Sequence, residues 1–181
     1  KVAMFENGEV DAIEQISSQY FGHLNEYLNS FVGGGIMFLW INQQGTSPET
    51  AALLSNQNFR QALNYGFDRS ATVNAVNPGY KPYVPYADSH PRAAGGFAGP
   101  DGGKFVDEYP VETVPLSGDV DKAKEYLAAA MEELGYSDVS QLPQLELITW
   151  DTSEQKLLLE TIIDQWQSQI FARLLMRATV V

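Results

Sequence analysis

The apolar positions along this chain change their period several times, and each change marks an element. From Asn58 onward Phe59, Ala62, Leu63 and Gly66 fall on one helical face, and Asp68 is placed to cap a second helix that runs to Val76. Val120, Ala123, Leu127, Ala130, Met131 and Leu134 form another stripe, with Lys122, Lys124, Glu125, Glu132 and Glu133 left to water. That pattern predicts a helix over Asp119 to Leu134, stopped by Gly135. A third stripe, Leu159, Ile162, Ile163, Trp166 and Ile170, predicts a helix from Ser153, read as its N-cap, to about Ile170. Between the last two helices Leu145 to Trp150 reads as a strand. The C-terminal half therefore runs helix, strand, helix, the unit of an α/β sheet.

The N-terminal part is patterned differently. Lys1 to Gly8 reads as the tail of a helix, Val10 to Ile16 as a short strand, and Ser17 to Asn29 as a polar stretch of loose helical spacing. After Gly33-Gly34-Gly35 the run Ile36 to Ile41 is uniformly apolar, the pattern of a strand covered on both faces and expected in the middle of a sheet. That run is the longest purely apolar one and falls far short of the roughly 20 residues a bilayer requires. Asn77 to Gly103 carries Pro78, Pro82, Pro85, Pro91 and Pro100, so a long irregular loop is expected there, and loops of such length tend to serve function.

Composition narrows the partners. The chain has 181 residues, 44% of them hydrophobic, enough for a real core. Its 11 basic and 23 acidic side chains give a net charge of −12, which repels phosphate backbones and anionic headgroups, so nucleic acid is not an expected partner. With no cysteine there is no disulfide, no thiolate nucleophile and no cysteine-based zinc site. His23 and His90 are the only histidines, and no metal-binding or phosphate-binding string accompanies them or the glycine clusters, so no metal or cofactor is expected. Ser153-Glu154-Gln155-Lys156 does match Ser-x-x-Lys, in which a lysine one turn on activates a serine for acyl transfer. The rest of such a site, Ser-Asp-Asn and Lys-Thr-Gly, does not occur, and the plainer reading of Ser153 is a cap and of Lys156 a solvated residue.

Four strings in order carry a family resemblance: Gly8-Glu9-Val10-Asp11-Ala12; Phe38-Leu39-Trp40-Ile41-Asn42-Gln43; Phe59 through Arg69; and Gly118 through Leu127 with Gly135. They resemble the oligopeptide/dipeptide/nickel class of ABC-transporter solute-binding proteins, family 5, over roughly residues 1 to 170, and Arg60 to Arg69 is the most specific piece. Gly66 stands where the family commonly has alanine, which suits a tight helix crossing. Gly45 to Gln57 and Asn77 to Asp107 read as expansions. Ile170 to Met176 stands where the family places its last strand.

The resemblance implies an α/β fold, part of a two-lobed architecture of the type II periplasmic-binding-protein kind, with a mixed sheet flanked by helices. Because complete members are far longer, it implies a fragment. Residues 1–44 would hold hinge-side strands and a helix, 45–170 the α/β portion of the second lobe with its long loop at 77–107, and 171–181 a divergent or non-native tail. The implied function is solute binding, of oligopeptide or dipeptide, for import. It needs no catalysis and no cofactor, and works outside the cytoplasm, in the periplasm or lipid-anchored, as a monomer with a permease and ATPase. A nickel chelate or a sugar is the alternative cargo.

Loops at strand C-terminal ends open toward clefts in α/β sheets, and a helix N-terminus adds amides there, which points to Trp150 through Lys156. In the family this same junction looks onto the peptide. Trp150 would stack or else pack on the sheet, Asp151 would pair with a cationic group, and Thr152, Ser153 and Lys156 would bond ligand or bridging water. Tyr80, Tyr83 and Tyr86 are either a rim for that cleft or anchors for their loop. Arg60 with Asp68 or Arg69 is read as structural capping and ion pairing, and His23 as a surface residue.

Overall fold

A computed structural model describes residues 1–14, 16–20, 22–28, 38–76, 102–103, 114–171 and 176–180. Its helices are α1 (Val2–Glu6), α2 (Pro48–Ser55), α3 (Gln57–Tyr65), α4 (Arg69–Val76), α5 (Val120–Leu134) and α6 (Ser153–Gln169), and its strands are β1 (Leu145–Thr149) and β2 (Met176–Val180). The chain is α/β. β1 and β2 pair in parallel, Leu145 opposite Met176 through Thr149 opposite Val180, and α6 is the crossover between them.

The helix boundaries follow from local chemistry. Asp119 accepts from the Lys122 amide at 3.0 Å and opens α5. At the other end Gly135 adopts φ +76°, and the Gly135 and Tyr136 amides return to Glu132 and Met131, closing α5 in a Schellman turn. Asp68 accepts from the Ala71 amide at 2.8 Å and caps α4, as its position after α3 predicts. α6 differs by one residue from the expectation: its N-cap is Thr152, whose side chain accepts from the Gln155 amide, and Ser153 is the first helical residue.

The core lies between α3, α5 and α6. Ala62, Ala123 and Ala130 are fully buried, and their small side chains let α3 and α5 pack closely over Phe59, Leu63 and Leu127. α6 leans on the junction between α3 and α4. Trp166 donates its indole N–H to the Leu63 carbonyl at 2.9 Å and meets Phe67 edge to face, while the Phe171 ring lies 5.7 Å from that of Phe59, both sealed from solvent. Gly66 makes this approach possible: a Cβ there would stand 2.0 Å from Ile170 Cδ1 and 2.7 Å from the Ala62 carbonyl oxygen. Buried Gln165 accepts from the Asp68 amide at 2.6 Å and donates to Thr72 at 3.0 Å, so the α3–α4 break is held by a side chain from α6.

Several expectations change. Val10 to Ile16 is not a strand in its described residues, and Phe38 to Ile41 forms no strand. Phe38 and Trp40 are exposed, Trp40 at 87%, and only Ile41 packs against the core. A strand exists through its neighbour, and β1 and β2 are the only paired strands among the described residues. Ile36 and Met37, the start of that apolar run, lie outside the described residues, as does the proline-rich stretch from Asn77 except Gly102 and Gly103. The polar stretch after Ser17 holds two 3-10 turns, Ser18–Tyr20 and Asn25–Tyr27, rather than a helix. Gly45 to Gln57 contains α2, whose Leu53 is completely buried. The strand expected to be replaced after α6 is present a few residues later, as β2.

Candidate functional site

The segment picked out by its place in the sequence is the turn from β1 into α6. Strand alternation puts Leu145 and Leu147 toward the helices and Glu146 and Ile148 outward, and Ile148 is 62% exposed. Trp150 follows β1 and is 71% exposed, which excludes the sheet-packing alternative for its ring. The Thr152 amide donates to the Trp150 carbonyl at 2.8 Å, tightening the turn so that Thr152 arrives in position to cap α6. Asp151 and Lys156 form an ion pair across the first turn of that helix.

These five residues are thus brought together, at one end of α6 and open to solvent. Thr152 is occupied as the cap, Asp151 and Lys156 engage each other, Ser153 is exposed, and Trp150 presents its ring. The Lys156 ammonium is directed at the Asp151 carboxylate and not at the Ser153 hydroxyl, so the Ser-x-x-Lys spacing does not assemble a nucleophile and its base. Exposed ion pairs of this kind add little stability.

Sequence reading passed over Glu154. Its carboxylate accepts from the Ser17 hydroxyl at 3.0 Å, across 137 residues of sequence, and so ties the N-terminal segment to the first turn of α6. The available signal was its place between Ser153 and Lys156, since an acidic residue in a first helical turn is favoured by the local amides. Next to it on the N-terminal side, Lys1, Val2, Ile16, Ser17 and Tyr20 line a small open cleft.

On the outer sheet face, Glu146 accepts from the Thr179 hydroxyl at 2.5 Å and from Arg177 at 2.9 Å. Those two bonds and the arginine's charge hold its carboxyl below the usual value. Arg60 donates to the Leu54 carbonyl, and Arg69, buried over the Phe67 ring, donates to the Asn64 carbonyl and side chain, so both arginines fasten helix ends. His23 is exposed and contacts Glu6. Among the described residues no three His, Cys, Asp or Glu side chains gather to hold a metal ion, and no helix is long and apolar enough to cross a membrane.

Comparison with known proteins gives this geometry a setting. The oligopeptide-binding protein OppA of Bacillus subtilis (strain 168) is 29% identical over 117 residues, which are 65% of this chain and 19% of that relative, so the chain spans only a small part of its length. The family model described as bacterial extracellular solute-binding proteins, family 5, middle, matches residues 1–170. The chain belongs to family 5 of the bacterial extracellular solute-binding proteins.

Proposed function

We propose that this chain is part of a peptide receptor for ABC-transporter import, and that Trp150, Asp151, Thr152, Ser153 and Lys156 form a piece of its ligand face. The observation that carries this reading is the β1–α6 turn, where an exposed indole stands beside an ion pair at a helix N-terminus. Peptide as cargo is supported by what the Bacillus relative is named for; a nickel chelate or a sugar is the alternative. The protein is read as non-enzymatic and monomeric, acting with a permease and ATPase outside the cytoplasm, in the periplasm or held by a lipid anchor.

A single lobe leaves most of a ligand's surface in water, so recognition would come from enclosure between two lobes, with backbone hydrogen bonds for affinity and wet pockets for side-chain tolerance. In this division 1–44 is hinge-side, 45–170 belongs to the second lobe and 171–181 is a divergent or non-native tail, of which Met176–Val180 forms β2. The test is peptide binding by the complete reading frame. Trp150→Ala is expected to weaken it about tenfold, the scale of a lost aromatic contact, while unchanged affinity in both Trp150→Ala and Asp151→Ala would remove this turn from the ligand face.

A further inference from the structure

The turn that closes α1 carries a chemistry unrelated to ligand binding. Asn7-Gly8 is the only Asn-Gly pair in the sequence, and both residues are exposed. In such a pair no Cβ shields the Gly8 amide nitrogen, which can reach the Asn7 side-chain carbonyl carbon and close a five-membered ring. The folded turn keeps that nitrogen occupied. Asn7 is helical (φ −80°, ψ −4°), Gly8 has φ +72°, and the Gly8 and Glu9 amides donate to the Phe5 and Met4 carbonyls at 3.0 and 2.8 Å, a Schellman closure that must open before attack. The closure is weakly held: α1 is five residues long and buries none of them, and its contacts with the segment around the Asn25–Tyr27 turn are the Phe5–Tyr27 edge contact and the exposed Glu6–His23 pair. A single helical turn of this kind opens locally at small cost. Asparagines in the helical layer are placed otherwise. Asn56 and Asn58 both donate to Glu133 and Asn64 accepts from Arg69, and each precedes a bulkier residue than glycine.

We infer that Asn7 is a site of spontaneous deamidation, gated by the opening of α1, and that the isoaspartyl product leaves the turn unable to close again. When the turn opens, the Gly8 nitrogen gives its proton to solvent and bonds to Asn7 Cγ. The Cγ–Nδ2 bond breaks, and Nδ2 leaves as ammonia with a proton taken from water. One water molecule then opens the cyclic imide. Opening at Cγ gives aspartate, and opening at the backbone carbonyl gives isoaspartate, whose chain runs through the former side-chain carboxyl and is one methylene longer. That methylene displaces the Gly8 and Glu9 amides from the Phe5 and Met4 carbonyls they bonded. The new carboxylate adds one negative charge at a helix C-terminus, where negative charge is disfavoured, and beside the Glu9 carboxylate that accepted from the Asn7 amide at 3.2 Å.

The test is peptide mapping by mass spectrometry of the complete protein, aged in mildly acid and in mildly alkaline buffer beside a synthetic Phe5–Val10 peptide blocked at both ends. Asn7 is expected to gain about 1 Da, faster in the alkaline buffer because the attacking nitrogen must lose its proton, and at a rate within about tenfold of the peptide's. Hydrogen exchange at the Gly8 and Glu9 amides should be slowed by the same factor, since one opening governs both reactions. Gly8→Ala should slow deamidation about tenfold by crowding the nitrogen, and nothing stands within 4 Å of that position to disturb the core. The isoaspartyl fraction, resolved by ion exchange, should exchange at those two amides as fast as the free peptide. No readout involves ligand, so the outcome is independent of the ligand-face reading. Deamidation at Asn7 slower than that range, an unchanged rate in Gly8→Ala, or native exchange at Gly8 and Glu9 in the isoaspartyl fraction would overturn the proposal.

Discussion

Gly66→Ala probes the packing that holds α6 to the helical layer. The backbone at Gly66 has φ −84°, which alanine accepts, so the change tests space and not conformation. The added methyl would meet Ile170 Cδ1 at 2.0 Å, Ala62 O at 2.7 Å and Trp166 Cδ1 at 3.3 Å. Ile170 can swing its terminal methyl aside, but the Ala62 carbonyl is helix backbone and cannot. Overpacking of this kind costs about 1–3 kcal/mol. The smaller entropy of an alanine-bearing unfolded chain returns roughly 0.4–1 kcal/mol, leaving a net loss of about 1–2 kcal/mol. With a urea slope of about 2 kcal/mol/M, the midpoint should fall by about 0.5–1 M at unchanged slope. Ile170→Val removes the colliding methyl, so its own cost of about 0.5–1.5 kcal/mol should shrink in the Gly66→Ala background. Gly135→Ala is the control. Its φ is +76° and nothing stands within 4 Å, so it should cost about 1–2 kcal/mol through backbone strain and show no coupling to Ile170. An unchanged or raised midpoint for Gly66→Ala, or additive behaviour with Ile170→Val, would refute the close approach of α6 to the α3 terminus.

Other consequences are as definite. Phe171→Ala empties a fully buried site against Phe59 and should cost about 3–5 kcal/mol in urea unfolding. Gln165→Ala strips the Asp68 amide of its acceptor and Thr72 of its donor, for a loss of about 1–3 kcal/mol, with hydrogen exchange at Asp68 accelerating. Glu146 titrates below its ordinary value when folded. Its contribution is therefore fully present above pH about 4.5, its ordinary value, and is lost as pH falls through the lower folded value. Glu146→Gln should flatten that acid limb, and a carboxyl NMR titration should read the lowered value directly.

Most of what was legible lay where period and cap agree. α5 announced itself by a stripe bracketed by Asp119 and Gly135, and the α3–α4 break by Asp68. α2 was hidden because Gly45 to Gln57 was read as an insertion, although Ser47-Pro48-Glu49 carries cap, first-turn proline and first-turn acid in order. The run ending at Ile41 misled for a different reason. Uniform apolarity measures a demand for burial and says nothing about which strand will pair, and Phe38 and Trp40 remain exposed among the described residues. For the site, spacing put the five residues on one turn, but the Asp151–Lys156 pair and the Ser17–Glu154 bond depend on side-chain directions and on a contact 137 residues apart. No local pattern encodes either.

The central claim is that this chain supplies one face of a peptide-binding cleft and not a complete site. Calorimetric titration with a mixture of short peptides, run in parallel on the 181-residue chain and on the complete reading frame at micromolar protein, tests it most directly. No measurable heat of binding is expected for the chain alone, and saturable binding for the complete protein, weakened about tenfold by Trp150→Ala. Tight peptide binding by the isolated chain would contradict it.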